Sequence, residues 1–199
     1  MPDRSSTSAY LLPSVYLPLR EFFSAFQDAE KIIIDTDESW QKQTLRNRTY
    51  ILGANGVQCL TVPVEHTGGI RKLIKEIKIS YSEPWIRVHK GALFSAYNTS
   101  PFFTFFKDEL FAIYDAKPSF LIDLNEQIFR LLLNKLKLKI DISPLSNQTE
   151  FIDLKKLADI EDLKKQKHEL PAYHQVFSYK QPFCPYLSVI DILSNKGRL

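Results

Sequence analysis

The order strand, helix, strand within residues 9–35 limits this chain more than any other feature. Residues 9–15 form an apolar run that ends in Pro13-Ser14-Val15-Tyr16. Leu19, Phe22, Phe23 and Phe26 then recur at i, i+3, i+4 and i+7, the stripe of an amphipathic helix. Lys31-Ile32-Ile33-Ile34 is a short β-branched run that enters Asp35, a second buried strand. Two strands joined through one helix pair in parallel with a right-handed crossover. The expected fold class is therefore α/β, a βαβ unit within a mixed sheet.

The remaining elements follow from periodicity and turn chemistry. Residues 47–52 and 57–64 flank Gly53-Ala54-Asn55-Gly56, and Asn-Gly supplies the positive φ angles of a tight antiparallel hairpin. Pro63 puts the end of that hairpin at an edge. Residues 74–79 alternate apolar and charged side chains, which predicts another half-buried strand. Ser82-Glu83-Pro84 starts a helix with Trp85, Val88, Ala92, Leu93 and Ala96 on one face. Ser100-Pro101 restarts a helix whose Phe102, Phe103 and Phe106 are expected in the core. Asp123-Leu124-Asn125-Glu126 has capping-box spacing ahead of Ile128, Leu131, Leu132 and Leu136. After residue 142 the character shifts to a Ser/Asn/Pro loop at 143–149, a charged helix-like run at 150–169, and aromatics with prolines from Tyr173. These boundaries predict a domain over 9–142 and an extension, 143–199, that covers the same core.

Composition excludes several classes. At 199 residues, with 44% apolar and 25% charged side chains, the chain is that of a globular protein. No apolar run approaches the roughly 20 residues that cross a bilayer. The N-terminal octet lacks the basic-then-apolar layout of a secretory signal, so a reducing cytoplasm is the expected home. Cys59 and Cys184 form no framework, and the strand pattern around Cys59 predicts a buried thiol. A net charge of +3 is too small to argue for nucleic acid. Residues 41–78, however, carry seven basic against two acidic side chains, leaving the rest of the chain at −2. A local positive patch on a near-neutral body suits a small anionic ligand bearing phosphate or carboxylate, or else a solvated surface.

No glycine-rich phosphate loop, zinc signature, C-x-x-C pair or nucleophile elbow is present. That disfavours a dinucleotide cofactor, names no other cofactor, and gives no metal site. What remains is a constellation. Asp35 and Asp37 fall at the carboxyl end of a parallel strand, where open α/β sheets place their ligands. The two could bind Mg²⁺, hold a sugar hydroxyl or serve as a general base, with Asp37 alternatively a turn or helix cap. Arg46 and Arg48 share parity on an extended chain, so both could fork onto an anion, or onto Asp35 and Asp37 instead. Lys42 and Asn47 sit beside them. His66, in His66-Thr67-Gly68-Gly69, and His89, one residue from an apolar helical stripe, are the candidate proton carriers. His89 could equally be a satisfied core histidine, and His168 and His174 carry no role. Tyr16, Trp40, Trp85 and Tyr97 neighbour polar clusters and could stack on a sugar or base, with burial as the alternative.

Taken in order, several blocks resemble the WbqC-like family. They are residues 11–18, Lys31 to Asp35, Gln41-Lys42, Arg46-Asn47-Arg48, residues 60–64, Pro84-Trp85 with His89, and Tyr97 with Ser100-Pro101-Phe102-Phe103. The resemblance covers roughly 11–138, and 173–197 is similar to the end of shorter members. It implies a bacterial protein associated with cell-surface polysaccharide, especially O-antigen, gene clusters, but carries no reaction. Many members have Gln-Pro-Asn-Tyr where this chain reads Leu12-Pro13-Ser14-Val15-Tyr16, so two polar side chains differ. Lys42, Arg46, Asn47, Arg48, Trp85 and His89 match. The layout also resembles nucleotidyl-transferring α/β enzymes, without their H-x-G-H turn, a likeness of fold alone.

Three functions are open at this point. The first is a transferase on an activated sugar or an acyl or aminoacyl donor. In it Lys42, Arg46 and Arg48 would hold the anion, Asp35 would orient a hydroxyl, and His89 or His66 would move the proton. The second is a non-catalytic module binding a ligand or partner in the same pathway. The third is an assembly subunit whose aromatic tail is an interface.

Overall fold

The computed structural model describes residues 9–143, 150–165 and 170–199. The N-terminal octet, all but the first residue of the 143–149 loop, and His168 lie outside the described residues. The described elements run β1 (Ala9–Pro13), α1 (Arg20–Ser24), β2 (Lys31–Asp35), β3 (Arg48–Gly53), β4 (Gly56–Thr61) and α2 (Trp85–Tyr97). They continue with α3 (Lys107–Asp115), α4 (Leu121–Lys135), β5 (Asp141–Ser143), β6 (Phe151–Asp153), α5 (Ile160–Lys165) and α6 (Val189–Lys196).

The βαβ unit forms as its pattern requires. β1 and β2 pair in parallel, with Tyr10 opposite Ile32 and Pro13 opposite Asp35. β5 adds to the free side of β2 and β6 to the free side of β1, giving a four-stranded parallel sheet in the order β5-β2-β1-β6. Leu11, Leu12, Ile32 and Ile33 are all buried, because a parallel sheet has both faces covered. The residues after 142 thus contribute a strand to the same sheet. The β3-β4 hairpin is a separate two-stranded ribbon that does not join it. Its turn needs Gly56 at φ 113°, a conformation that side chains rarely adopt.

Several local expectations shift. α1 is a single turn, continued by i→i+3 bonds from Ala25 and Phe26 to Phe22 and Phe23. Its rings still find one partner: Phe22, Phe23 and Phe26 lie 6.3, 5.6 and 6.0 Å from Phe129 of α4. Residues 74–79 are not a strand. The buried positions Ile74, Ile77 and Ile79 are spaced by three and then two, which gives the 3-10 turn Ile74–Glu76 and then isolated bridges to Val64 and Phe120. α4 begins two residues before Asp123, with Phe120 as an extended cap, so Asp123-x-x-Glu126 lies inside the first turns and no capping box forms there. Phe103 and Phe106 are core residues, but Phe102 is exposed over Gly197 at the end of α6.

The β1–α1 loop is unusual in being buried throughout. Leu17 adopts φ 41° immediately before Pro18, a position that disfavours any helical conformation. It is held there by tertiary bonds: Thr49 Oγ1 donates to its carbonyl at 2.7 Å, and Tyr16 N–H donates to Leu45 O at 2.9 Å. The distortion turns the Tyr16 side chain into the protein interior.

The C-terminal segment is fastened by polar bonds. Ser188 N–H donates to Tyr50 O, Arg20 N–H to Leu187 O, and Val189 N–H to Pro18 O. Behind them Asp191 of α6 is buried and accepts from the Tyr173 hydroxyl at 2.8 Å, while the Arg20 guanidinium lies 5.1 Å over the Tyr173 ring. Burial pushes the Asp191 carboxyl above its ordinary 3.8, outweighing the bonds from Tyr173, Tyr97, Gln175 and Asn195. A carboxyl raised by folding holds its proton more tightly when native. Its contribution to stability is complete below the ordinary carboxylate range and is lost as pH rises through the raised value. Asp191→Asn should remove that loss. Thermal melts of both proteins at rising pH should show the variant gaining on wild type from 3.8 toward neutrality. A constant difference across that range would show that Asp191 is not the titrating group.

Candidate functional site

The loops that follow β2 and β6 stand on either side of the carboxyl end of β1. They enclose a cleft of about 640 Å³. Its deepest polar contact is the pair of Glu38 and Arg46, both nearly buried. Arg46 Nε donates to Glu38 Oε1 at 2.9 Å and Nη2 donates to Oε2 at 2.5 Å. The Ser14 backbone N–H at the end of β1 also bonds the Glu38 carboxylate. Burial pushes the Glu38 carboxyl up, and the Arg46 fork opposes that. Asn125 of α4 closes the knot, with Nδ2 donating to the Arg46 carbonyl at 2.9 Å and to Ser14 Oγ at 3.1 Å.

Asp35 lines the same cleft and is as buried as this pair. Its Oδ1 accepts the Asp37 N–H at 2.9 Å and its Oδ2 is 3.2 Å from Lys155 Nζ. Asp37 in turn pairs with Lys75 at 2.5 Å on the exposed rim. The lining contains the carboxylates Asp35, Asp37, Glu38, Asp159 and Asp162, and the cations Arg46, Lys155 and Lys156. Carboxylates therefore outnumber cations here. Arg46 is present in the cleft, but its fork is spent on Glu38 and not offered to an anion. The basic segment that the sequence brings forward is spread elsewhere. Lys42 is exposed outside the lining, and His66 is exposed in its loop with Nδ1 accepting the Gly68 N–H at 2.9 Å. Arg48 is half-buried at the start of β3, and its Nε has no hydrogen-bond partner among the described residues. Asn47 braces the hairpin by donating to Val62 O.

Tyr16, Trp85 and His89 come together at a second place, under α2. The Tyr16 hydroxyl bonds His89 Nδ1 at 2.8 Å and the Tyr114 hydroxyl at 2.6 Å. The Thr61 backbone accepts from the same imidazole, and the Trp85 ring meets it edge-on at 5.1 Å. With both ring nitrogens engaged and only 3% of the residue exposed, burial lowers the His89 pKa from 6.5 to about 4. The imidazole is neutral at physiological pH and accepts from Tyr16. Burial likewise pushes both phenols well above the ordinary 10. His89 and Trp85 line a smaller cleft of about 250 Å³ against Gln58 to Thr61 of β4. Cys59, expected inside, is exposed there, because it pairs with Tyr50 on the outer face of the hairpin. Tyr97 is in neither place: it is buried beside Asp191, which with burial raises its pKa. Trp40 is half-buried with its Nε1 unpaired among the described residues.

The candidate residues thus divide between a charged cleft at the sheet end and a neutral aromatic cluster beneath α2. Three participants escaped the sequence. Glu38 and Lys155 look like ordinary surface charges in one dimension, and Tyr114 reads as one more apolar-face residue. Only an unpaired arginine in a buried loop could have called for Glu38.

Comparison with known proteins places the chain. Residues 14–170 match the WbqC-like protein family, and the chain belongs to it. The uncharacterized protein Rv1507c of Mycobacterium tuberculosis is 32% identical over 104 residues, covering 52% of this chain and 45% of that protein. The chain therefore spans less than half the length of this curated relative. No solved structure matches the chain.

Two measurements test the site's architecture. Removing one member of a buried ion pair strands the other, so Arg46→Ala should cost about 3–5 kcal/mol in urea unfolding. The double variant Glu38→Leu/Arg46→Met should recover much of it, and additive losses would refute the pairing. His89 supplies a pH signature of opposite sign to Asp191. Its depressed pKa contributes stability present above the ordinary 6.5 and lost as pH falls toward about 4. The shift corresponds to roughly 3 kcal/mol. His89→Gln should lower stability at neutral pH and flatten the acid slope in that window, and an unchanged slope would place the titration elsewhere.

Proposed function

We propose that the sheet-end cleft binds an activated sugar and that the protein acts on it as a cytoplasmic transferase in cell-surface polysaccharide assembly. One observation carries this reading. Five carboxylates and three cations line a cleft at the carboxyl ends of parallel strands, the place where open α/β sheets bind ligands. Sugar hydroxyls both donate and accept, so they suit such mixed walls better than a bare anion does. Asp35 keeps acceptor capacity on each oxygen beyond its bonds to Asp37 N–H and Lys155, enough to orient a hydroxyl. Lys155 bridges Asp35 and Asp153, and Lys156, a lining cation with no ion pair among the described residues, is the one left to meet a phosphate. Family membership supports the setting, not the reaction.

A second reading, a binding module without turnover, has one observation in its favour. None of the described histidines lines this cleft, and His89 has both ring nitrogens engaged elsewhere.

Thermal-shift and calorimetric titration with nucleotide sugars, sugar phosphates, acyl and aminoacyl donors and plain phosphate tests the proposal. A true ligand at about 100 times its dissociation constant adds roughly 2.7 kcal/mol of stability. Lys155→Ala and Asp35→Asn should each abolish that gain, whereas His89→Gln should leave binding intact. Binding without conversion of donor in the presence of acceptors would favour the module. If no sugar-bearing ligand stabilises the protein, the transferase reading fails and only a module for another ligand or a protein partner is left.

A further inference from the structure

Five of the six glycines lie in the hairpin, in the His66 loop or after α6. Gly91 alone lies inside a helix, at an exposed position of α2. Glycine is the least helix-favouring residue apart from proline, and here no neighbour requires its smallness, since an added Cβ would meet nothing within 4 Å. The bare backbone instead lines a groove between α2 and α3 of about 690 Å³, the size of a small-molecule site.

The groove's walls say what it would hold. Ile86, Phe94 and Phe111 give an apolar lining, and Phe94 is 45% exposed within it. The charged residues of the lining are Arg87, Lys90 and Lys117 against Glu83 and Asp115. Lys90 is committed: it bonds both Asp115 oxygens at 2.8 Å and lies 5.0 Å over the Phe111 ring. Arg87 and Lys117 have no ion-pair partner among the described residues. Two uncommitted cations thus face one carboxylate, Glu83.

From this we infer that the α2–α3 groove is a binding site for an amphipathic organic anion, an aryl or medium-length acyl group bearing a carboxylate or phosphate. The apolar part lies over Gly91 between Phe94 and Phe111, and the anion meets Arg87 and Lys117. The site is independent of the sheet-end cleft and shares no lining residue with it.

The full chain is titrated with anilinonaphthalene sulfonate by fluorescence, then challenged with naphthoate, decanoate and the uncharged naphthol. One saturable site displaced by the two carboxylates is expected, and the stronger competitor identifies the aryl or acyl source. Gly91→Leu fills the groove and should weaken the dye by about tenfold or more. It should melt no lower than wild type, because leucine favours the helix, so lost binding cannot be lost folding. Arg87→Gln/Lys117→Gln should weaken the carboxylates while leaving naphthol unchanged. Unaltered dye affinity in Gly91→Leu, the absence of a saturable site, or equal affinity for naphthol and naphthoate in wild type would each overturn the assignment.

Discussion

A buried fork of two charges organises the sheet end of this fold, where the cleft lies. Glu38 follows β2, Arg46 precedes β3, and Ser14 and Asn125 bring β1 and α4 to the same point. Neither charge is stable in the interior alone, so the loop between the parallel sheet and the hairpin has one low-energy arrangement. Asp35 and the cleft mouth inherit their geometry from that constraint. The pair therefore acts as a positioning device even though it offers no free group to a ligand.

Two other polar clusters fix the outer parts of the molecule, and they respond oppositely to acid. The Tyr114–Tyr16–His89 chain ties α3 and the β1–α1 loop to α2 through a neutral imidazole. The Tyr173–Asp191 bond ties the C-terminal segment to α6 through a carboxyl that resists ionisation. Each is a few hydrogen bonds inside a large apolar core. Their value lies in direction: hydrophobic contact alone would leave these elements free to slide, and the buried polar groups accept only one register.

Much of this could be read from the sequence where the signal is local. The βαβ unit follows from apolar runs spaced by a helical stripe, and the hairpin follows from Asn55-Gly56. The family could be recognised because ordered blocks such as Pro84-Trp85 with His89 survive in one dimension. The signal failed where partners are distant. Nothing near Arg46 announces Glu38 as its mate in place of a ligand, and nothing near Asp35 announces Lys155. Ile74, Ile77 and Ile79 mislead because charged residues between them imitate strand alternation while the burial spacing is three and then two. Cys59 misleads because a two-stranded ribbon outside the main sheet has an outer face, and apolar pattern alone cannot tell which ribbon is covered.

The position of β1 has a consequence for how the chain is made. Its one side is completed almost at once, when β2 follows through a short crossover, but Ala9 pairs on the other side with Phe151. Lys155, one wall of the sheet-end cleft, follows directly behind that strand. During synthesis the β1 edge must stand open while the hairpin and three helices emerge. Such sequence-distant pairing raises contact order and slows folding. An open apolar edge in that interval is a natural client for a chaperone, and the cleft cannot form until the ribosome has passed its last wall.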